Sequence, residues 1–239
     1  RGLGDVYERQ GLAKSRPLNL RGSLDMQLNG TNADDAQGFI NIAGLCLADT
    51  AGRTLDVGDI SIDLDRTTDT DLLTVDSRYL DISARGHIVP SAIVADVTSL
   101  ARTIVPDVIP AATDSVTGRN KFSLDLTLEN AEHLCDFFSL PVTVIYPADI
   151  SVALDAPGGT ATMTFDAPYL QQGDKIIDQT VAALSADARS GKALFYATTH
   201  FPTKKGPMAA TVGIRGADNT FKTKIDWTIE RKIPPVSYT

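Results

Sequence analysis

The chain has 239 residues, of which 43% are hydrophobic, 22% charged and 6% aromatic, and it carries a formal net charge of −8. That is enough apolar material to bury a core, which excludes a disordered tail. The acidic balance and the scarcity of aromatic rings argue against nucleic acid, which needs a basic face or stacking platforms.

Residues 1–16 are polar and glycine-rich, and are expected to form a tail or the end of a preceding element. From Leu18 to Leu28 the pattern becomes regular: Leu18, Leu20, Leu24, Met26 and Leu28 alternate with Asn19, Arg21, Ser23, Asp25 and Gln27, and Gly22 fills the remaining apolar slot. A side-chain period of two predicts a strand with one oily and one wet face. Further strands are expected at Gly38–Leu47, near Leu55 and Val57, at Asp59–Asp65, at Leu72–Asp76 and at Tyr79–Ile88. At Pro90 the period changes, and Ile93, Val94, Val97, Leu100, Ala101 and Ile104 fall three and four apart. This spacing predicts an amphipathic helix of about 12–15 residues, with Ser91 near its start and Pro106 limiting its end. Its polar face is expected to hold Asp96, Ser99, Arg102 and Thr103, without the Lys/Arg-rich character of membrane-surface helices.

Alternation resumes at Phe122, Leu124, Leu126 and Leu128, after which Asn130 is placed to cap a short helix through Phe138. Strands follow at Val142–Tyr146, Asp149–Leu154, Thr160–Phe165, Ile176–Leu184, Ala193–Phe201, Met208–Arg215 and Thr220–Arg231, separated by Gly, Pro, Asp and Lys turn chemistry. The fold class is therefore mainly β, a long antiparallel sheet in two similar units with two short helices. The units are expected at 17–105 (with the first helix) and 121–233, joined by a linker at 106–120 and followed by a tail at 234–239.

Catalytic and metal signatures are weak. Asp56, Asp59, Asp63, Asp65, Asp69 and Asp71 invite a calcium reading, but the EF-hand glycine and closing glutamate are missing, and several alternate with Ile60, Ile62 and Leu64 as a wet strand face. His87, His133 and His200 lie on separate elements without zinc-ligand spacing. No G-x-S-x-G, P-loop or dinucleotide fingerprint occurs. Paired carboxylates for glycoside cleavage remain open in so Asp-rich a chain, but nothing selects a pair. Cys46 and Cys135 sit in apolar surroundings and are expected as small buried hydrophobes. Asn29-Gly30-Thr31 matches a glycosylation sequon and makes an equally good turn. No catalytic residue, cofactor or metal is expected.

Taken in order, Gly38-Phe-Ile-Asn-Ile, Asp59-Ile-Ser-Ile-Asp-Leu and Leu73-Thr-Val-Asp-Ser-Arg-Tyr-Leu-Asp-Ile-Ser-Ala-Arg-Gly-His-Ile resemble the C-terminal half of TamB-like proteins, within the broader AsmA-like group and in the Bacteroidota style. A strand ending in Ser-x-Tyr-Leu-Asp, then a glycine and a helix, is similar, as are Lys121–Asn130 with its short helix, Thr143–Leu154, and Trp227 in a terminal strand. The resemblance covers roughly Leu18 to Arg231. It implies a curved, open trough of antiparallel sheet, a non-enzymatic segment of a periplasmic bridge-like protein that shields acyl chains in envelope lipid transport or outer-membrane assembly.

Phospholipid or another acyl-chain lipid is the implied partner, with an outer-membrane barrel protein engaged through flanking segments. The chain begins without Met, so it is expected to be a piece whose missing flanks carry the periplasmic targeting and the envelope anchor. The groove is expected to be lined by Leu20, Leu24, Met26, Ile40, Ile42, Ile60, Ile62, Leu80, Ile82, Leu124, Leu126, Val152, Leu154, Phe221, Ile225 and Trp227. Strands of 8–11 residues span about 27–37 Å, an area two short helices cannot cover. The rival expectation is a cell-surface β-sandwich, structural or adhesin-like, in which the same residues form a dry core between two sheets.

Overall fold

A computed structural model describes residues 17–68, 70–104, 106–107, 118–203, 206–217 and 219–229. The tails expected at 1–16 and 234–239, most of the linker (108–117), Asp69, and Glu230 and Arg231 of the last strand lie outside the described residues.

The strands are β1 (Leu18–Asn29), β2 (Gln37–Asp49), β3 (Thr54–Arg66), β4 (Asp71–Ser77), β5 (Leu80–His87), β6 (Lys121–Leu128), β7 (Thr143–Val144), β8 (Ala148–Asp155), β9 (Thr160–Gln172), β10 (Lys175–Asp187), β11 (Lys192–Thr203), β12 (Gly206–Ala217) and β13 (Thr220–Ile229). They form one thirteen-stranded antiparallel sheet in sequence order, with β7 set aside as a short partner of β9. The two expected units are continuous in this sheet, because β5 pairs with β6 from Leu80↔Leu128 to His87↔Lys121. Among the described residues β1 and β13 stand at its two ends as free edges.

Two helices complete the fold, α1 (Ile93–Ile104), preceded by a 3₁₀ turn at Pro90–Ala92, and α2 (Glu132–Phe138). They occupy opposite ends of the strands. α1 lies where β5 hands over to β6, and α2 lies at the other end, between β6 and β8.

Contacts of α1 reveal the curvature. Twelve strands about 4.8 Å apart would extend about 53 Å if flat. The segment from Ser91 to Ile104 is only about 20 Å long. Yet Ser91 donates from its backbone N–H and Oγ to Asp34 in the β1–β2 loop, and the Ile104 carbonyl accepts from Asn219 N–H in the β12–β13 loop at 3.2 Å. The first and last hairpins therefore approach each other, and the sheet curls into a trough with α1 strung across one end. The concave side is the apolar one. A Cβ on Gly216 would lie 2.8 Å from Phe221 Cε1 and 3.3 Å from Ile104 Cγ2, so the missing side chain admits both.

Several elements depart from the sequence reading. The two strands expected around Val57 and Asp59 are one, β3, in which Gly58 takes φ 79° and pairs with Leu45, next to Gly44 at φ 61° where the β2 register shifts. This paired irregularity is a glycine-tolerated bulge that adds twist without ending the strand. Val142–Tyr146 shrinks to Thr143–Val144. Asn130 does not occupy the cap of α2. Ala131 does, and Asn130 Oδ1 only accepts from Glu132 N–H at 3.1 Å.

Ser91 caps nothing either: Val89 holds the N-cap position of the Pro90–Ala92 turn, and Ser91, inside that turn, donates its N–H and Oγ to Asp34. The buried stripe of the Pro90–Ile104 segment is Ala92, Asp96, Leu100 and Ile104, while Val94 and Val97 face out. Asp96, expected on the wet face, is 2% exposed.

Candidate functional site

Cross-strand register brings every expected groove residue to the concave face. Met26, Ile40, Ile62, Val75, Ile82, Leu126, Ile150, Phe165, Ala182, Ala197, Val212 and Ile225 stand one per strand in an uninterrupted apolar row. Leu24, Ile42 and Ile60 lie beside it, and so do Leu64, Leu73, Leu124, Val152, Met163, Leu184, Phe195 and Ile214 in the next row. The expected groove residues left out Val75, Ile150, Phe165, Ala182, Ala197 and Val212 in the first row and Leu64, Leu73, Met163, Leu184, Phe195 and Ile214 in the second. The period-two signal that located the others also marks these.

Burial divides the face into three zones. At the α1 end Ala84, Ile88, Leu100, Ile104 and Leu154 are buried. Leu154, expected in the open groove, is 4% exposed and belongs to this plug. At the opposite end α2 carries two clusters. Cys135 and Ala131 pack with Val144, Ala148 and Ala167, and Phe137 packs with Leu55, Val57 and Tyr79, with Leu134 touching both groups. Leu80 and Leu128 lie near this end and are half-buried.

Between the helices, Ile40, Ile42, Ile60, Ile62, Ile82, Leu124, Leu126 and Val152 are all half-buried and none is sealed. On the two edge strands the same face is bare: Leu20 is 70% exposed and Trp227 67%, with Leu24, Met26, Phe221 and Ile225 also exposed. Among the described residues no second sheet lies against the trough.

The α1 plug is held by buried polar chemistry. Asp96 accepts from Arg119 N–H, from Asn120 N–H at 2.9 Å and Nδ2 at 2.7 Å, and from Gly118 N–H. Asn120, fully buried, also joins Val89 through Oδ1 and Nδ2. Burial opposes ionisation of Asp96, but these donors outweigh it and hold its pKa below the usual carboxylate range. Asp34 is held low by the Ser91 hydroxyl and backbone N–H. Beside the plug, Asp71 accepts from Ile88 N–H at 2.8 Å and pairs with Arg66, whose Nε reaches the Ala36 carbonyl.

The convex face is polar, laced by side-chain bonds such as Ser151 Oγ to Asp125 (2.6 Å) and Thr127 Oγ1 to Asp149 (2.7 Å). Of the acid-rich stretch, Asp56 pairs with Arg78 at 2.9 Å, Asp59 accepts from Gly44 N–H, and Asp63 stands on the convex face, whereas Asp71 is buried beside the plug and Asp69 lies outside the described residues. His87, His133 and His200 lie on β5, α2 and β11, and are not brought together. Cys135 is buried as expected, whereas Cys46 is only half-buried on β2, and both are free thiols. Among the described residues no helix is long and apolar enough to cross a membrane.

No family model, no curated protein and no solved structure matches the chain.

Proposed function

We propose that the concave face shields lipid acyl chains, and that the chain is a non-enzymatic, periplasmic segment serving envelope lipid transport or outer-membrane assembly. The observation that carries this reading is the apolar row from Met26 to Ile225. It is continuous across the sheet, half-buried between two helices that cover only the opposite ends of the central strands, and bare on the two edge strands. Water against so extended an apolar surface costs about 25 cal/mol per Å², and a hydrocarbon tail is the ligand that removes this cost without needing polar partners. The likeness to TamB-like strand grammar points the same way. Phospholipid is the proposed ligand, and a barrel protein of the outer membrane the proposed neighbour.

Protein purified without detergent is extracted with organic solvent, and the extract is examined by mass spectrometry. Copurified phospholipid is expected, and its loss is expected in Leu126→Lys, which places a charge at the centre of the row. Thermal unfolding measured alongside separates loss of lipid from loss of fold. A folded wild-type protein that neither copurifies with phospholipid nor acquires it from vesicles would end the reading.

A further inference from the structure

The convex face changes sign along the sheet. From β3 to β9 it carries Asp63, Asp76, Asp125, Asp149 and Asp166, against Arg85 and a Lys121 paired with Asp155, whereas from β11 to β13 it carries Lys192, Arg215, Lys222 and Lys224, against the single Asp226. All four cations are exposed, in a chain whose net charge is −8. Lys224 pairs with Asp226 at 2.8 Å, and Lys192, Arg215 and Lys222 have no carboxylate within ion-pair distance among the described residues. Two depressions of about 510 and 490 Å³ lie among these cations. The first is floored by Gly213, above which nothing stands within 4 Å, and is walled by the half-exposed Leu194 and Tyr196.

β13 is also a free edge a single strand thick. Lys222 and Lys224 project from its convex side while Phe221, Ile225 and Trp227 project from its concave side, and all are exposed. An acidic protein would use the cations but not the oily side. A phospholipid uses both, because its phosphate needs cations on one side of the edge and its tails need cover on the other. Aromatic and aliphatic side chains interleaved with Lys and Arg are also what an anionic interface accommodates.

We propose that the β11–β13 rim docks on an anionic lipid bilayer and is the edge over which lipid enters the trough, with Lys192, Arg215, Lys222 and Lys224 holding the phosphate layer. The docking stands on the charge pattern together with the exposed Phe221, Ile225 and Trp227 of the same edge, and only the passage of tails rests on the groove reading above.

The test is cosedimentation of the chain with vesicles of phosphatidylcholine, either pure or mixed with phosphatidylglycerol. Binding is expected only to the mixed vesicles, and it is expected to fall as salt rises from about 0.05 to 0.5 M. The combined variant Lys192→Gln, Arg215→Gln, Lys222→Gln touches neither the concave face nor an ion pair. It is expected to bind on the order of a hundredfold more weakly, about fivefold per charge. Arg85→Gln, on the convex face of β5, is expected to bind like wild type.

Equal binding by wild type and the combined variant, equal loss in Arg85→Gln, or no binding to the mixed vesicles overturns the docking. Binding to soluble polyglutamate without binding to vesicles overturns it in favour of an acidic protein. Copurified phospholipid is read separately. A wild type that binds mixed vesicles yet neither copurifies with phospholipid nor extracts it from them removes the groove and leaves the dock, and copurified phospholipid in a combined variant that no longer binds vesicles supports both.

Discussion

Strands β3–β9 and β10–β13 carry the same alternation of oily and wet residues, yet they end up in different surroundings. In the first sector α2 reaches the concave face, and Leu55, Val57, Ala148 and Ala167 are buried around it. In the second only the tip of α1 arrives, at Gly216, and Leu184, Phe221, Ile225 and Trp227 keep a third or more of their surface in water. The apolar residues of the first sector hold the fold together. Those of the second contribute little to stability until something covers them.

Substitutions in the two sectors should therefore separate stability from lipid capacity. The largest effect is expected at Phe137, which is buried against Leu55 and Tyr79, meets Phe138 edge-on at 5.1 Å and lies 5.4 Å beneath the Arg53 guanidinium. Phe137→Ala is expected to cost about 4 kcal/mol. In chemical denaturation this appears as a lower midpoint with an unchanged slope. A loss below about 1 kcal/mol would show that α2 is not the anchor of its sector.

Next in size is the plug. Asp96→Ala leaves buried donors at Gly118, Arg119 and Asn120 without their acceptor, and is expected to cost about 2–3 kcal/mol. The same carboxylate, with Asp34, sets an acid limit. Both have pKa values below their unfolded values, so their contribution is complete above about pH 4 and is lost as pH falls through the lower folded values. Amide exchange in α1 is expected to accelerate below that pH before exchange in β6–β9 does. In Asp96→Asn the acid dependence of α1 should flatten. Uniform acceleration across the sheet would mean that α1 is not a separately held element.

These contrasts mark what the sequence made legible. Period two located nearly every strand and put Leu20, Ile62, Leu126 and Trp227 on one face, because alternation is a local property that register only propagates. It did not tell Leu154 from Val152, two residues apart on one face. Which of them is buried depends on which end α1 spans, and that is a contact of the whole fold. Asp96 was illegible for a related reason: its partners lie 22 to 24 residues away, beyond the helix, so helical spacing alone assigned Val97 to the core in its place. The irregularity at Gly58 resembled a strand break because a glycine ends a run on paper, while in the sheet Gly58 and the register shift beside Gly44 let both strands continue.

The smallest expected change in stability carries the sharpest test of the open sector. Trp227 is the chain's single tryptophan, and it sits 67% exposed on a free edge, opposite Ala210. Trp227→Phe is expected to change stability by less than about 0.5 kcal/mol, since little is buried to be lost. Its indole is a reporter in place: in delipidated protein the emission should be that of a water-exposed ring, and it should shift to shorter wavelength when phospholipid is supplied. In the cluster beneath α2 a shift is not expected even with a probe, because Phe137 and Tyr79 are already dry. Emission at Trp227 that stays unchanged while phospholipid binds would confine the ligand to the half-buried middle of the row and take the β13 edge out of the path.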